Sequence, residues 1–317
     1  MAELNWSDAQ WQNVQNAVLQ EFGRANVVSQ VLPCFALPAP SIEAVRKEEL
    51  SGPDSKTPDR KVTVTDDETI KLLNIRVLVE LSHQQIVDES LASALLAFRR
   101  AANILAQTQD HFFFNGRGPT ATGNATRAAA KGKEPFQDFI ASGPSKMDGL
   151  VGARSQAVLP SLKAAKSPNR AWISAAEDGR PSRSVGNDTE TLVTEVVGAI
   201  GRLEKDFHPG PFACILGTNL FTLAHKPVEK SMVLPADRIN PLLERPLLRS
   251  GRLDLDTLSH GVVVSLAAGG PDIVVGARPK AQFLQITEGA KYVFRVYVRA
   301  VLRIKDPNNP GVRAFSI

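Results

Sequence analysis

Cysteine, histidine and long apolar runs are all scarce in this sequence of 317 residues. The two cysteines, Cys34 and Cys214, are far apart, and we interpret them as two small buried residues in a reducing cytosol. No apolar run approaches the roughly 18 residues of a membrane span. The first residues contain neither the basic nor the apolar segment of a secretory signal. We therefore expect a cytoplasmic protein with no membrane partner.

Recognisable catalytic patterns are also missing. The five histidines show no metal-ligand spacing, and no Gly-x-Ser-x-Gly elbow is present. The glycines at 116, 118 and 123 have the wrong spacing for a dinucleotide loop. We therefore predict no catalytic residue, no metal site, no cofactor and no enzyme. Catalytic triads can assemble from distant positions, so a hydrolase is kept as an alternative, although it is the least favoured one.

The positive charge of the chain is concentrated in one segment. Residues 117–183 are rich in Ala, Gly, Pro and Ser and carry 11 basic and 5 acidic residues, a net charge of +6 against +4 for the whole chain. Such a segment could contact RNA, cargo or an acidic surface through charge alone. It lacks the interleaved aromatics of a base-stacking surface, so we expect a solvated loop and do not expect nucleic acid as a partner.

The first third of the chain predicts a capped helix, an arm and a long strand. Ser7 and Gln10 fit a capping box for a helix that ends near Gly23, followed by an extended segment over 25–35. Residues 42–68 are polar, and 70–81 alternate as a strand does. This pattern is typical of an outstretched hairpin, although an ordinary surface loop remains an alternative. Residues 90–109 predict the longest helix, with Phe98 and Leu105 in its buried stripe.

The last third predicts a helix and then several strands. The helix over 188–207 has apolar residues at one helical spacing: Leu192, Val196, Ile200, Leu203 and Phe207. A Pro-Gly-Pro break precedes an apolar strand at 212–216. The segments 261–266 and 273–276 flank a turn-rich connection and predict a strand pair. Residues 292–304 alternate strictly, with Arg295, Arg299 and Arg303 on one face.

Four motifs in this order resemble encapsulin shell proteins, a family once regarded as linocin-like bacteriocins. They are the runs 192–213 and 261–276, the helix-ending Asp-His-Phe-Phe-Phe-Asn-Gly at 110–116, and the Trp-bearing opening at 6–11. Residues 147–151 are similar to a turn of that family. The remainder of the middle segment has no counterpart and is interpreted as two insertions, about 117–145 and 153–187.

The resemblance implies an α+β fold of the Hong Kong 97 type, the fold of tailed-phage major capsid proteins. It implies an N-terminal helix and arm at 1–41 and an extension loop at 42–72 that reaches over a neighbouring subunit. A peripheral domain would occupy 73–188, an axial domain 189–260, and 261–317 would return to the peripheral domain.

The function implied is that of a self-assembling icosahedral shell of about sixty copies or a small multiple. It would enclose a cargo enzyme, such as a ferritin-like protein or a dye-decolorising peroxidase, that carries a short C-terminal targeting peptide. A phage or prophage major capsid protein is the alternative, because the two groups share a fold.

Two sites follow from the resemblance. The cargo peptide would bind between the N-terminal helix and the peripheral domain, at Val18, Phe22, Arg24, Val27, Val28, Phe283, Leu284 and Ile286. A five-fold pore would be lined by Lys226, Glu229, Lys230 and Ser231. A solvated loop away from any axis is the alternative for the pore residues, and a seam within one subunit is the alternative for the peptide site.

Overall fold

The computed structural model describes residues 4, 6–39, 41–51, 63–116, 139–144, 147–151, 189–227, 233–255, 258–287, 289–306 and 310–316. Most residues of the two predicted basic insertions lie outside these ranges. Within the first of them, Phe139–Ser142 forms a strand instead of the expected solvated loop, because it pairs with the strand Leu73–Leu81.

The N-terminal helix α1 (Asp8–Ala25) begins as its sequence predicts. The Ser7 side chain accepts the backbone N–H of Gln10 and the Gln10 side chain accepts that of Ser7, which forms the capping box. The start of the helix is anchored by Trp6, whose ring stacks on Phe294 at 5.1 Å and whose indole N–H donates to the Ile86 carbonyl. Burial of the ring together with this hydrogen bond places α1 on the sheet described next.

The first sheet has five strands in the order β1 (Cys34–Ala36), β12 (Asp272–Ile286), β13 (Tyr292–Arg303), β6 (Leu73–Leu81) and β7 (Phe139–Ser142). β1 runs parallel to β12, and the other pairs are antiparallel. The predicted alternation of β6 is confirmed, because its odd-numbered residues 73–81 are all buried. Two helices, α1 and α4 (Ala92–Asn115), cover the inner face of this sheet. We call the opposite face the outer face.

The expected extended segment over 25–35 is wrong in its middle. Val28–Val31 forms a short helix, α2, before β1. The backbone N–H groups at the start of α2 donate to a side chain of α4, described below. No local sequence pattern predicts that contact. Cys34 also departs from prediction: Cys214 is buried, whereas Cys34 is exposed.

The end of α4 lies against the turn 147–151. The helix extends beyond 109 to Asn115, and the carbonyls of Phe113 and Phe114 accept the backbone N–H groups of Leu150 and Val151. Gly149 is required at this contact, because a Cβ there would lie 2.2 Å from the Gly116 nitrogen.

The arm consists of two successive two-stranded ribbons. β2 (Ala44–Arg46) pairs with β5 (Thr69–Lys71), and farther out β3 (Glu49–Ser51) pairs with β4 (Thr63–Thr65). Its base lies over the outer face of the first sheet, where Arg299 donates to the Ile42 carbonyl and Arg303 pairs with Glu48. Arg303 also pairs with the buried Asp272 through two hydrogen bonds of 2.9 Å. The arm is therefore attached at its base to β12 and β13.

A second sheet corrects the predicted strand pair. Its order is β10 (Asp254–Leu255), β11 (Leu258–Ser265), β8 (Phe212–Leu216) and β9 (Leu248–Arg249), and β14 (Val312–Ser316) also pairs with β11. β11 and β12 therefore belong to different sheets. The segment 261–317 contributes strands to both sheets, since β11 pairs along both of its edges within the second sheet whereas β12 and β13 belong to the first.

Helices α5 (Thr189–Lys205), α6 (Thr218–Ala224) and α7 (Pro235–Ile239) pack with the second sheet around a core of their own. A five-residue helix, α3 (His83–Val87), and two short 3-10 helices complete the described elements. The predicted stripe of α5 holds for Leu192, Val196 and Leu203 but fails for Phe207, which is 88% exposed. The helix ends at Lys205, and Phe207 adopts a backbone φ of 64°, which turns its side chain outward.

Candidate functional site

A pocket of about 140 Å³ lies between α1, α2 and the inner face of the first sheet. Its apolar lining comes from α1, β1, β12 and β13: Phe22, Ala36, Ile273, Val275, Pro279, Val298 and Ala300. Its volume is close to the roughly 150 Å³ of a protein cavity that holds benzene, so it can take one apolar side chain.

Polar atoms are few in this pocket. Gln109 of α4 lines it, is 3% exposed, and its Oε1 has no hydrogen-bond partner in the described part of the chain. A buried acceptor without a partner costs about 1–3 kcal/mol, which a ligand that donates a hydrogen bond would recover. Cys34, although exposed on its other side, also lines the pocket, and partial burial together with nearby Asp272 raises the pKa of its thiol. Ser29 and the cationic Arg278 complete the polar part of the lining, which otherwise suits an apolar group.

Asp110 positions the wall of the pocket. Its two carboxylate oxygens accept the backbone N–H groups of Val27 and Val28 at 2.8 and 3.0 Å, at the start of α2. Asn26 supports the same turn, since its side chain donates to Ala106 and accepts the backbone N–H of Ser29. Burial raises the pKa of Asp110 to about 7, against the opposing effect of the two backbone donors and Arg252. Neighbouring His111 has a pKa lowered to about 4, again mainly by burial.

A groove continues from the pocket along α1 and β12. The two elements run in opposite directions, because Phe22 near the end of α1 shares the pocket with Ile273 near the start of β12, whereas Gln15 earlier in α1 lies at Ala281 farther along β12. The Gln15 side chain donates to the Ala281 carbonyl at 2.7 Å and accepts its N–H at 3.1 Å. β1 pairs with β12 only at residues 273–275. Beyond that, this edge of β12 has no strand partner among the described residues. An extended peptide can pair with such an edge only away from Ala281, whose backbone N–H and carbonyl are already bound by Gln15 of α1.

The eight residues predicted for the peptide site do not form one surface. Val18 and Val28 are fully buried in the core. Phe22 is 7% exposed and lines the pocket. Arg24 is exposed and Val27 is half-buried near the same end of α1.

The remaining three predicted residues, Phe283, Leu284 and Ile286, lie at the other end of the groove. The Phe283 ring contacts Phe294 at 5.4 Å, and Phe294 in turn stacks on Trp6, which precedes α1. Phe22 is 14 residues beyond Asp8, the first residue of α1, and therefore roughly 21 Å along the helix at 1.5 Å per residue. Leu284 is 42% exposed. The sequence missed Gln109, because its orientation toward a pocket depends on how α4 packs.

Of the four predicted pore residues, the structure describes Lys226. It is exposed and follows α6, with its backbone N–H bonded to the Leu223 carbonyl. Glu229, Lys230 and Ser231 lie outside the described residues.

Within the described ranges, no group of three His, Cys, Asp or Glu side chains could hold a metal ion. Among these same residues, no helix is long and apolar enough to cross a membrane.

Sequence comparison supports the resemblance in the C-terminal part of the chain. Residues 174–310 match the model of a family described as encapsulating protein for peroxidase. A segment of 113 residues is 32% identical to the type 1 encapsulin shell protein EncA of Myxococcus xanthus and covers 36% of this chain. The match spans 38% of the length of that relative.

Solved structures match the fold over nearly the whole chain. The virus-like particle of Pyrococcus furiosus has a TM-score of 0.59 at 13% identity, over 96% of this chain and 98% of that one. The capsid of Myoviridae phage XM1 has a TM-score of 0.53 at 13% identity, over 92% and 91%. The SrpI encapsulin of Synechococcus elongatus has a TM-score of 0.51 at 9% identity, over 99% and 91%. The predicted Hong Kong 97-type capsid fold is thus confirmed, and so is the resemblance to encapsulin shell proteins, carried in sequence by the C-terminal part of the chain.

Proposed function

We propose that this chain is the self-assembling shell protein of an encapsulin nanocompartment. The observation that carries the proposal is the family match at 174–310 on a chain whose fold is that of capsid proteins. We further propose that this shell is closed and contains about sixty copies of the chain or a small multiple of that number. The role is structural rather than enzymatic.

The arm supports assembly. An isolated two-stranded ribbon is marginally stable in water, and the outer ribbon of this arm exposes Val64, whose side chain is 60% accessible. Contact with a neighbouring subunit would cover it.

Purified protein examined by negative-stain microscopy and size exclusion tests this function. Closed particles of uniform diameter are expected at micromolar concentration. A monomer or dimer under these conditions would rule the shell out.

The pocket and groove are the proposed cargo site. A targeting peptide would lie along the part of the β12 edge that Gln15 leaves free, place one apolar side chain in the pocket and donate a hydrogen bond to Gln109 Oε1. Enclosure of an aliphatic side chain contributes about 1.5–3 kcal/mol. The name of the matched family supports a peroxidase as the cargo; a ferritin-like enzyme is the other class we consider.

A phage or prophage capsid protein is the second candidate, favoured by the structural match to a phage capsid over 92% of the chain. The two candidates differ in content. Particles of a nanocompartment should contain protein cargo and show a protein-like ultraviolet spectrum, whereas nuclease-protected DNA of uniform length would favour the phage capsid.

A further inference from the structure

The outer face of the first sheet carries a cluster of cations around one tyrosine. Arg76 of β6 and Lys280 of β12 are the cross-strand neighbours of Tyr297 of β13. The Lys280 ammonium lies 5.3 Å from the centroid of the Tyr297 ring, and the Arg295 guanidinium lies 4.8 Å from it. We call Arg76, Lys280 and Arg295 the cationic face.

No carboxylate pairs with these three cations in the described part of the chain. Arg295 donates instead to the neutral Gln282 side chain, at 3.1 and 2.6 Å. The carboxylate of Glu80, on the same face of β6, pairs with Lys291. Three positive charges around one ring repel each other, so an anionic partner on this surface would be favourable.

The arrangement favours carboxylates over nucleic acid. Nucleic-acid surfaces of this kind bind bases by stacking on open aromatic rings. Here two cations already lie over the Tyr297 ring, which leaves it less available to a base. The remaining attraction is electrostatic, and it suits an acidic stretch of polypeptide.

The arm of this chain carries such a stretch, Asp66-Asp67-Glu68, in which Asp67 and Glu68 are exposed. Asp66 pairs with Arg46 in an exposed ion pair, which exchanges partners at little cost, and Glu68 pairs with the half-buried Lys47.

The arm cannot bring this stretch to its own cationic face. The Glu68 carbonyl accepts the backbone N–H of Lys47, and the residue that follows Lys47, Glu48, pairs with Arg303. Arg303 is six residues from Tyr297 along β13, roughly 20 Å at 3.3 Å per residue. We propose that the cationic face binds the acidic stretch 66–68 on the arm of a second copy of this chain. This inference rests on the proposed shell function.

Charge reversal tests the contact. The variant Lys280→Glu with Arg295→Glu should fold, as judged by circular dichroism, but its critical concentration for assembly should rise at least about tenfold. Adding Asp66→Lys and Asp67→Lys to the same chain should restore particles. The matched control is Arg99→Glu with Arg100→Glu, two exposed cations on α4, and it should assemble normally.

Each outcome separates the two proposals. A wild-type protein that forms no particles refutes the shell function. Wild-type particles together with normal particles from Lys280→Glu/Arg295→Glu refute the contact and leave the shell function standing. The contact is also refuted if that variant assembles normally yet loses binding of a fluorescent oligonucleotide, since the face would then serve nucleic acid. Failure of the added arm substitutions to restore particles refutes the arm as the partner.

Discussion

At the scale of single residues, two neighbours on α4 perform different tasks. Gln109 leaves an acceptor without a partner at the pocket, and Asp110 satisfies two backbone donors of α2. Both are nearly fully buried, at 3% and 1% exposure. Stability alone would favour an apolar residue at 109, because an unpaired buried oxygen is unfavourable. A polar residue there is consistent with a ligand.

Replacement of Gln109 should affect stability and cargo binding in opposite directions. We expect Gln109→Leu to stabilise the empty protein by about 1 kcal/mol, since the unpaired oxygen is removed from an apolar site. The same change should lower cargo loading, because the donor of the peptide loses its acceptor. Thermal unfolding and the mass of co-purified cargo measure the two effects.

Gln107→Leu is the matched control. Gln107 Oε1 accepts a hydrogen bond from Arg252, so its loss should destabilise the protein and leave loading unchanged. If Gln109→Leu shells load normally, Gln109 does not contact the peptide.

Asp110 should make stability depend on pH. Its pKa is raised to about 7 in the folded protein from an ordinary value of 3.8. Between these values the folded state holds a proton that the unfolded state has released, so this group lowers stability as pH rises from about 4 to about 7. Asp110→Asn should therefore show a smaller fall in melting temperature between pH 5 and pH 8 than the wild type.

The asparagine has one oxygen for two backbone donors, so its melting temperature should be lower than that of the wild type at pH 5. Parallel pH profiles of the two proteins would show that the Asp110 carboxyl does not titrate in this range.

At the scale of secondary-structure elements, the arm has a fixed base. Arg303 pairs both with the buried Asp272 and with Glu48, and Arg299 holds the Ile42 carbonyl. Removing one partner of a buried ion pair costs about 3–5 kcal/mol, so these contacts should resist reorientation of the arm. The outer ribbon has no such attachment among the described residues.

Deletion of residues 51–60 should separate folding from assembly. The inner ribbon and its ion pairs remain, so the subunit should keep its circular dichroism spectrum. Particle yield should fall at least about tenfold, because contacts with the neighbouring subunit are lost. Microscopy and size exclusion measure the yield. A full yield of particles from the shortened chain would show that the arm is an ordinary surface loop.

At the scale of the whole molecule, the second sheet joins strands that lie far apart in the sequence, from β8 to the last described strand, β14. β14 pairs with β11, so the end of the chain joins the elements that precede β12. The two sheets share a core, since Ala213, Ile215 and Val262 pack with the residues of the first sheet. Lys226, which follows α6, is an exposed residue of this second part of the molecule.

The proposed five-fold pore belongs to this scale, because symmetry multiplies each charge. Five copies of Lys230 around a narrow opening would attract anions and repel cations. Lys230→Glu should therefore slow the entry of an anionic substrate into cargo-loaded shells and speed that of a cationic one. Glu244→Lys, on the surface between α7 and β9, is a control. Equal entry rates for both charges in wild type and Lys230→Glu would exclude this loop from the pore.

Local patterns determined much of this protein. The capping box of Ser7 and Gln10, the alternation of β6 and the apolar strand β8 were all predicted correctly, because each depends on neighbours along the chain. The order of the motifs predicted the capsid fold, which the solved structures confirm.

Only the tertiary structure decided which sheet each strand joins and where the pocket lies. β11 looks like a partner of β12 because the turn between them is short, but its hydrogen bonds go to β8 and β14. Val18 and Val28 are apolar residues beside a proposed groove, yet packing of α1 and α2 on α4 buries them. Gln109 reaches the pocket through the same packing. Contacts between distant segments determine these features, and no spacing along the chain records them.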